Sequence, residues 1–205
     1  VARLTAEKKV LHADLEGDSV KAAAGSMVAY QGNVEFKNAG MGGGGGLRAA
    51  VRQRVAGEAV NLMECTGHGR VYLAQDAFDV TVVDLQQDTL TVESEHILAF
   101  TKGIQHDVQF AGLRGMTSGQ GLATTKLSGT GQAAIISDGP MIALAVAPGM
   151  PLVVDPDAYV AGTGQTQMSL VSGVSWRSLV GEGGGEPFSL RFEGQGTVYI
   201  QPAER

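Results

Sequence analysis

Phe192-Glu193-Gly194-Gln195-Gly196-Thr197-Val198-Tyr199-Ile200-Gln201 is the stretch on which the reading of this sequence turns. Two weaker copies stand upstream. One is Gly67-His68-Gly69-Arg70-Val71-Tyr72-Leu73-Ala74, the other Gly129-Thr130-Gly131-Gln132-Ala133-Ala134-Ile135-Ile136. Each is Gly-x-Gly, a polar residue, then four residues of strand character. Repetition of this kind points to an architecture built from like units.

A second set of matches runs beside the first. Val10 to Ala22 lines up with Val80 to Val92 at an offset of 70 and with Ile142 to Val154 at an offset of 132. Gly17 meets Gly149, and Val20 meets Leu90 and Leu152. Ala29-Tyr30 meets Ala99-Phe100, and Val28 meets Leu98 and Val160. Gly57-Glu58, Gly119-Gln120 and Gly185-Glu186 each stand shortly before a Gly-x-Gly block. Taking those dipeptides as unit starts gives unit B over 57–118 and unit C over 119–185. Unit A is then 1–56 completed by 186–205, so the C-terminal strands close a ring of three units in one domain of 1–205. Closure of that kind removes exposed strand edges.

The pattern within each unit is β. Phe78 to Leu85 and Thr89 to Glu93 are short and rich in β-branched residues, with Gln86-Gln87-Asp88 read as a hairpin between them. Ala147-Pro148-Gly149-Met150 reads as the corresponding turn in unit C, with Pro setting φ and Gly supplying φ > 0. Ile97 to Thr101 and Ile104 to Ala111 follow as further strands. Five or six short strands per unit suggest a β-sandwich or barrel. Glycine-rich connectors occur at 40–46, 112–119 and 181–185. One short helix is expected near 47–56, because Leu47, Val51 and Val55 recur every four residues with Gly57 as a C-terminal cap.

Composition narrows the classes. Hydrophobic residues make up 43% and charged residues 18% of the 205, which specifies a folded globular chain. The formal net charge of −6 argues against non-specific nucleic-acid binding. The single cysteine, Cys65, excludes an intrachain disulfide, fits a reducing, cytoplasmic setting and reads as a small buried hydrophobe. No run of about 18 apolar residues offers a membrane-spanning helix.

The ordered set of features resembles a known family. Its carrying residues are Gly25-Ser26-Met27-Val28-Ala29-Tyr30-Gln31-Gly32-Asn33-Val34-Glu35-Phe36, the glycine run with its short basic helix, Ala56-Gly57-Glu58, and the closing stretch Phe192 to Gln201. Together they are similar to the AIM-type family (altered inheritance of mitochondria), whose domain is described as TRAP-like, after the tryptophan RNA-binding attenuator protein. The resemblance implies a β-rich, TRAP-like or double-stranded-β-helix-like fold, and members both bacterial and mitochondrial. It implies no catalytic residue and no cofactor.

Reactive constellations are thin. The four histidines form no His-x-His pair, and no Cys-x-x-Cys is present. Glu95, His96 and His106 are the nearest approach to a metal site, and the simpler reading makes these histidines surface or turn residues. The glycine run at 42–46 lacks the Gly-Lys-Ser/Thr ending of a phosphate loop. No Gly-x-Ser-x-Gly elbow occurs. Arg48, Arg52 and Arg54 supply a basic patch and Trp176 a lone large aromatic, so these four are the candidate binding residues. Aromatics are only 5% of the chain, too few to interleave with basic residues as single-stranded RNA recognition requires.

These observations favour a non-enzymatic oligomeric scaffold or interaction protein. A homo-oligomer is expected, with room for a protein partner, no DNA, little case for RNA and no membrane span. Two alternatives stay open at this stage: a small-ligand or RNA-binding module, and a metal-dependent enzyme.

Overall fold

The computed structural model of the chain describes residues 1–38, 61–110, 123–172 and 188–202. The chain is nearly all-β, and no α-helix occurs among the described residues. The helix expected near 47–56 lies outside them, as do the three glycine connectors. The chain divides into two compact units, Val1–Asp138 and Gly139–Arg205.

Among the described residues the first unit holds eight strands. They are β1 (Arg3–Glu7), β2 (Val10–Ala23), β3 (Met27–Asn38), β4 (Leu62–Leu73), β5 (Asp79–Glu93), β6 (Ile97–Thr101), β7 (Ile104–Phe110) and β8 (Ala123–Ser137). Hydrogen bonding runs in the order β5-β8-β6-β2-β4-β3, with β1 on β2 and β7 on β8. All of these pairings are antiparallel. The core of the unit gathers Leu4, Leu11, Leu15, Val20, Cys65, Val71, Leu73, Leu98 and Ile136. Burial of each leucine, isoleucine or valine among them contributes roughly 1.5–3 kcal/mol. The period-2 alternation of β2, buried at Leu11, Ala13 and Leu15, points one face of the strand at that core.

The second unit holds β9 (Ile142–Val146), β10 (Leu152–Val154), β11 (Tyr159–Ser172) and β12 (Phe188–Ile200). β12 is central: β11 pairs along one edge, while β9 and β10 share the other. Tyr159 and Phe192 stack with ring centroids 5.2 Å apart. The closing Gly-x-Gly strand is therefore flanked on both edges by strands of its own unit. This corrects the expectation that residues 186–205 complete residues 1–56.

The expected hairpin at Gln86–Asp88 is a bulge instead. Gln86-Gln87-Asp88 does not reverse the chain. β5 runs on through it against β8, with the register shifting between Gln86 and Asp88 and Gln87 at φ 58°. β2 behaves likewise, with Gly17 at φ 84° and a register shift between Glu16 and Asp18. At Ala147–Met150 the chain makes a tight turn, closed by the Met150 N–H to Ala147 carbonyl bond at 3.0 Å, then continues along β12 in its original direction. These two bulges and this turn each place a residue at φ > 0, at Gly17, Gln87 and Gly149, so the same residue types announce either.

The Gly-x-Gly positions mark close strand approaches. Gly67 faces Val34 in the register of β3 and β4, and a β-carbon on Gly67 would overlap the carbonyl oxygen of Asn33. On Gly129 it would meet the carbonyl oxygen of Gly103, and on Gly194 that of Gln165. The second glycines repeat the relationship two residues away: Gly69 with the carbonyl of Gln31, Gly131 with the hydroxyl of Thr101, and Gly196 with the carbonyl of Thr163.

Candidate interaction surface

β3 differs from every other long strand of the first unit. Most of its residues are exposed, on both faces, with only Val34 and Phe36 half-buried. It is the terminal strand of the hydrogen-bonded order, and among the described residues it pairs with β4 alone. Its first half carries large apolar side chains to solvent: Met27, Val28 at 59% exposure and Tyr30 at 50%. The Tyr30 ring meets Phe36 edge to face, with centroids 5.2 Å apart. Tyr72 on β4 donates its hydroxyl hydrogen to the Gln31 side chain at 3.2 Å. An edge strand that carries exposed apolar side chains is a template for another strand.

The second unit has a similar edge. β9 and β10 both pair with β12 and, among the described residues, with no other strand. Ile142, Met150 and Val153 are exposed along this stretch, Val153 at 53%.

The residues considered for metal chemistry fall into separate roles. His96 sits in a 3-10 turn, Ser94–His96, and is buried rather than at the surface. Its Nδ1 lies 2.7 Å from the Ile136 carbonyl oxygen and its Nε2 lies 3.3 Å from the Glu93 carboxylate. Both ring nitrogens are thus engaged by the protein, which suits a histidine that pins the turn before β6 to β8. Glu95 is exposed in the same turn. His106, on β7, lies against Phe100 with ring centroids 5.3 Å apart. Its pKa is lowered, first by desolvation and then by the charge of Lys21, with Asp107 opposing. Among the described residues no group of three or more His, Cys, Asp or Glu is placed to hold a metal ion. Arg48, Arg52, Arg54 and Trp176 lie outside the described residues.

Cys65 is fully buried on β4, and desolvation, with the neighbouring Glu64 charge, pushes its thiol up to about 11. A thiol so held is a poor nucleophile. Arg70 grips Asp14 across the β2–β4 pair, Nε to Oδ1 at 2.5 Å and Nη2 to Oδ2 at 3.1 Å, on the exposed face. Such a pair contributes about 0–1 kcal/mol. No helix among the described residues is long and apolar enough to cross a membrane.

The surface that sequence reading missed is β3 itself. Its residues carry the family resemblance, and the match of Val28 and Tyr30 to positions 98 and 100, which are buried, gives no sign of their exposure.

No curated protein matches this chain. A crystal structure of protein SPYM3_0169 from Streptococcus pyogenes is similar in fold, with a TM-score of 0.78 and 22% sequence identity, covering 100% of this chain and 94% of that one. The family model described as Mitochondrial biogenesis AIM24 matches residues 3–203. The chain therefore belongs to the AIM24 family.

Proposed function

We propose that this protein is a non-enzymatic oligomeric scaffold, a TRAP-like assembly of three repeated β units that works through its strand edges. The observation that carries this reading is a difference in burial between matched positions. Val28 is 59% exposed, while Leu98 and Val160, its counterparts at offsets of 70 and 132, are both at 0%. Tyr30 is 50% exposed, while its counterpart Phe100 is at 1%. A side chain type that is core in two units and solvent-facing in the third implies a missing cover.

The close approaches support the repeat. The groups facing the first glycines are those of Asn33, Gly103 and Gln165, and those facing the second are of Gln31, Thr101 and Thr163. Both sets keep the offsets of 70 and 132. The bulge at Gly17, the bulge at Gln87 and the turn at Gly149 obey them too, all with φ > 0. The rings of Tyr30 and Phe36 correspond in the same way to those of Phe100 and His106. On this reading each Gly-x-Gly strand ends a unit, so the units run 10–73, 79–137 and 142–200, and none borrows strands from another.

Light scattering on the native chain across micromolar concentrations tests the scaffold. Assembly above the monomer mass is expected. A monomer at every concentration would contradict it.

A further inference from the structure

We infer that the β9–β10 edge of one copy pairs with β3 of a second copy, through a register that the first unit already displays. The inference rests on the repeat and scaffold reading above and adds the surface, the partner and the alignment.

The template is the pairing of β2 with β6. It joins the first repeat to the second through Val20 with Thr101, Lys21 with Phe100, and Ala22 with Ala99. Moving β2 by 132 gives Leu152, Val153 and Val154; moving β6 back by 70 gives Gln31, Tyr30 and Ala29. The junction from the third repeat onward to a first repeat is then Leu152 with Gln31, Val153 with Tyr30, and Val154 with Ala29. Val153, at 53% exposure, and Tyr30, at 50%, are both exposed apolar residues on these edges.

The chemistry at the template position sharpens this. Lys21 faces Phe100, whose ring lies against His106. At the inferred junction Val153 would face Tyr30, whose ring lies against Phe36. The cation and the imidazole of the internal junction are replaced by an aliphatic and a phenyl ring. Desolvating that set leaves no charge to satisfy, as suits a surface that must leave water when two copies meet. Met150, also exposed, flanks Val153 in the turn before β10. The two edges are different surfaces, so the contact is heterologous. Copies joined this way continue head to tail and either close into a ring or extend.

The test uses single-cysteine additions at exposed positions in the full chain, Tyr30→Cys and Val153→Cys, with a short bis-maleimide as the bridge. Cys65 is buried and stays unreactive in the folded protein. Mixing the two variants is expected to give a covalent dimer that neither variant gives alone. The adjacent pair, Gln31→Cys with Leu152→Cys, is expected to repeat the result. A dimer from Tyr30→Cys alone would overturn the inference, because it would make the contact β3 on β3. A bridge formed inside one chain of the double variant, independent of dilution, would overturn it by showing closure within a copy. No bridge in any mixture would overturn it as well. Native chain that is oligomeric while the bridges fail leaves the scaffold reading standing, whereas monomeric native chain removes both.

Discussion

Gly67 and Asn33 are packed so closely that a β-carbon on the glycine would overlap the asparagine carbonyl oxygen. The backbone at Gly67 is also at φ 129°, where L side chains are strained. Gly129 with Gly103 and Gly194 with Gln165 show the same relationship. Changing Gly67, Gly129 or Gly194 to Ala is therefore expected to cost about 2–4 kcal/mol at each site, from backbone strain plus overpacking. Urea denaturation followed by circular dichroism measures it. A loss below about 0.5 kcal/mol at these sites, the usual range for a neutral surface change, would mean the strands can part without penalty.

The bulges invite a paired substitution. Gly17 is at φ 84°, with the His68 ring 3.0 Å from where a β-carbon would sit, so Gly17→Ala should destabilise by about 1–2 kcal/mol. Gln87 already holds φ 58° with a side chain. Gln87→Gly should be tolerated within about 1 kcal/mol, since glycine relieves the left-handed strain while loosening the unfolded chain. Equal and large losses at both sites would show that the two bulges are not alike.

Cys65 has a pH signature. Its thiol pKa is raised by burial from 9.0 to about 11. Below pH 9 the thiol is neutral whether folded or unfolded, and its contribution to stability is fully present. As pH rises from 9 the unfolded chain ionises first, so that stability falls progressively until about 11. Cys65→Ala is expected to flatten this part of the pH profile, despite a lower plateau. Alkylation by iodoacetamide at pH 8.5 should be at least about tenfold slower in native protein than in urea. Equal rates would place the thiol at the surface.

His96 is expected to be structural. Removing its ring leaves the buried Ile136 carbonyl without that partner, at about 1–3 kcal/mol. His96→Ala should therefore lower the melting temperature, with added zinc leaving both native and variant melting points unchanged. A zinc-dependent rise in the native chain, absent from the variant, would favour a metal site at His96 instead.

Parts of this architecture are legible in the residues and parts are not. The offsets of 70 and 132 can be read from Val20, Leu90 and Leu152, because core positions on equivalent strands demand similar side chains. The phase of the units cannot be read the same way. A Gly-x-Gly strand needs close neighbours on its edges, but its own residues do not say whether those neighbours precede or follow it, so Phe192 to Gln201 fits the start of one unit as well as the end of another. Gln86-Gln87-Asp88 reads as a hairpin because a polar run that admits φ > 0 serves a bulge equally. The burial of His96 is hidden for a different reason: its partners Ile136 and Glu93 are set by the β6–β8 pairing, and the intervening distance in sequence carries no trace of it. The exposure of Val28 and Tyr30 is the reverse case, apolar residues whose chemistry announces burial and whose place at an edge leaves them open.

Sedimentation velocity of the native chain beside the double variant Val28→Lys, Tyr30→Lys tests the central claim most directly. Lysines on an exposed strand edge oppose strand addition without entering the core. The account predicts an assembly for the native chain and a folded monomer for the variant, with unchanged circular dichroism. Native chain that sediments as a monomer, or a variant that assembles as the native chain does, would contradict it.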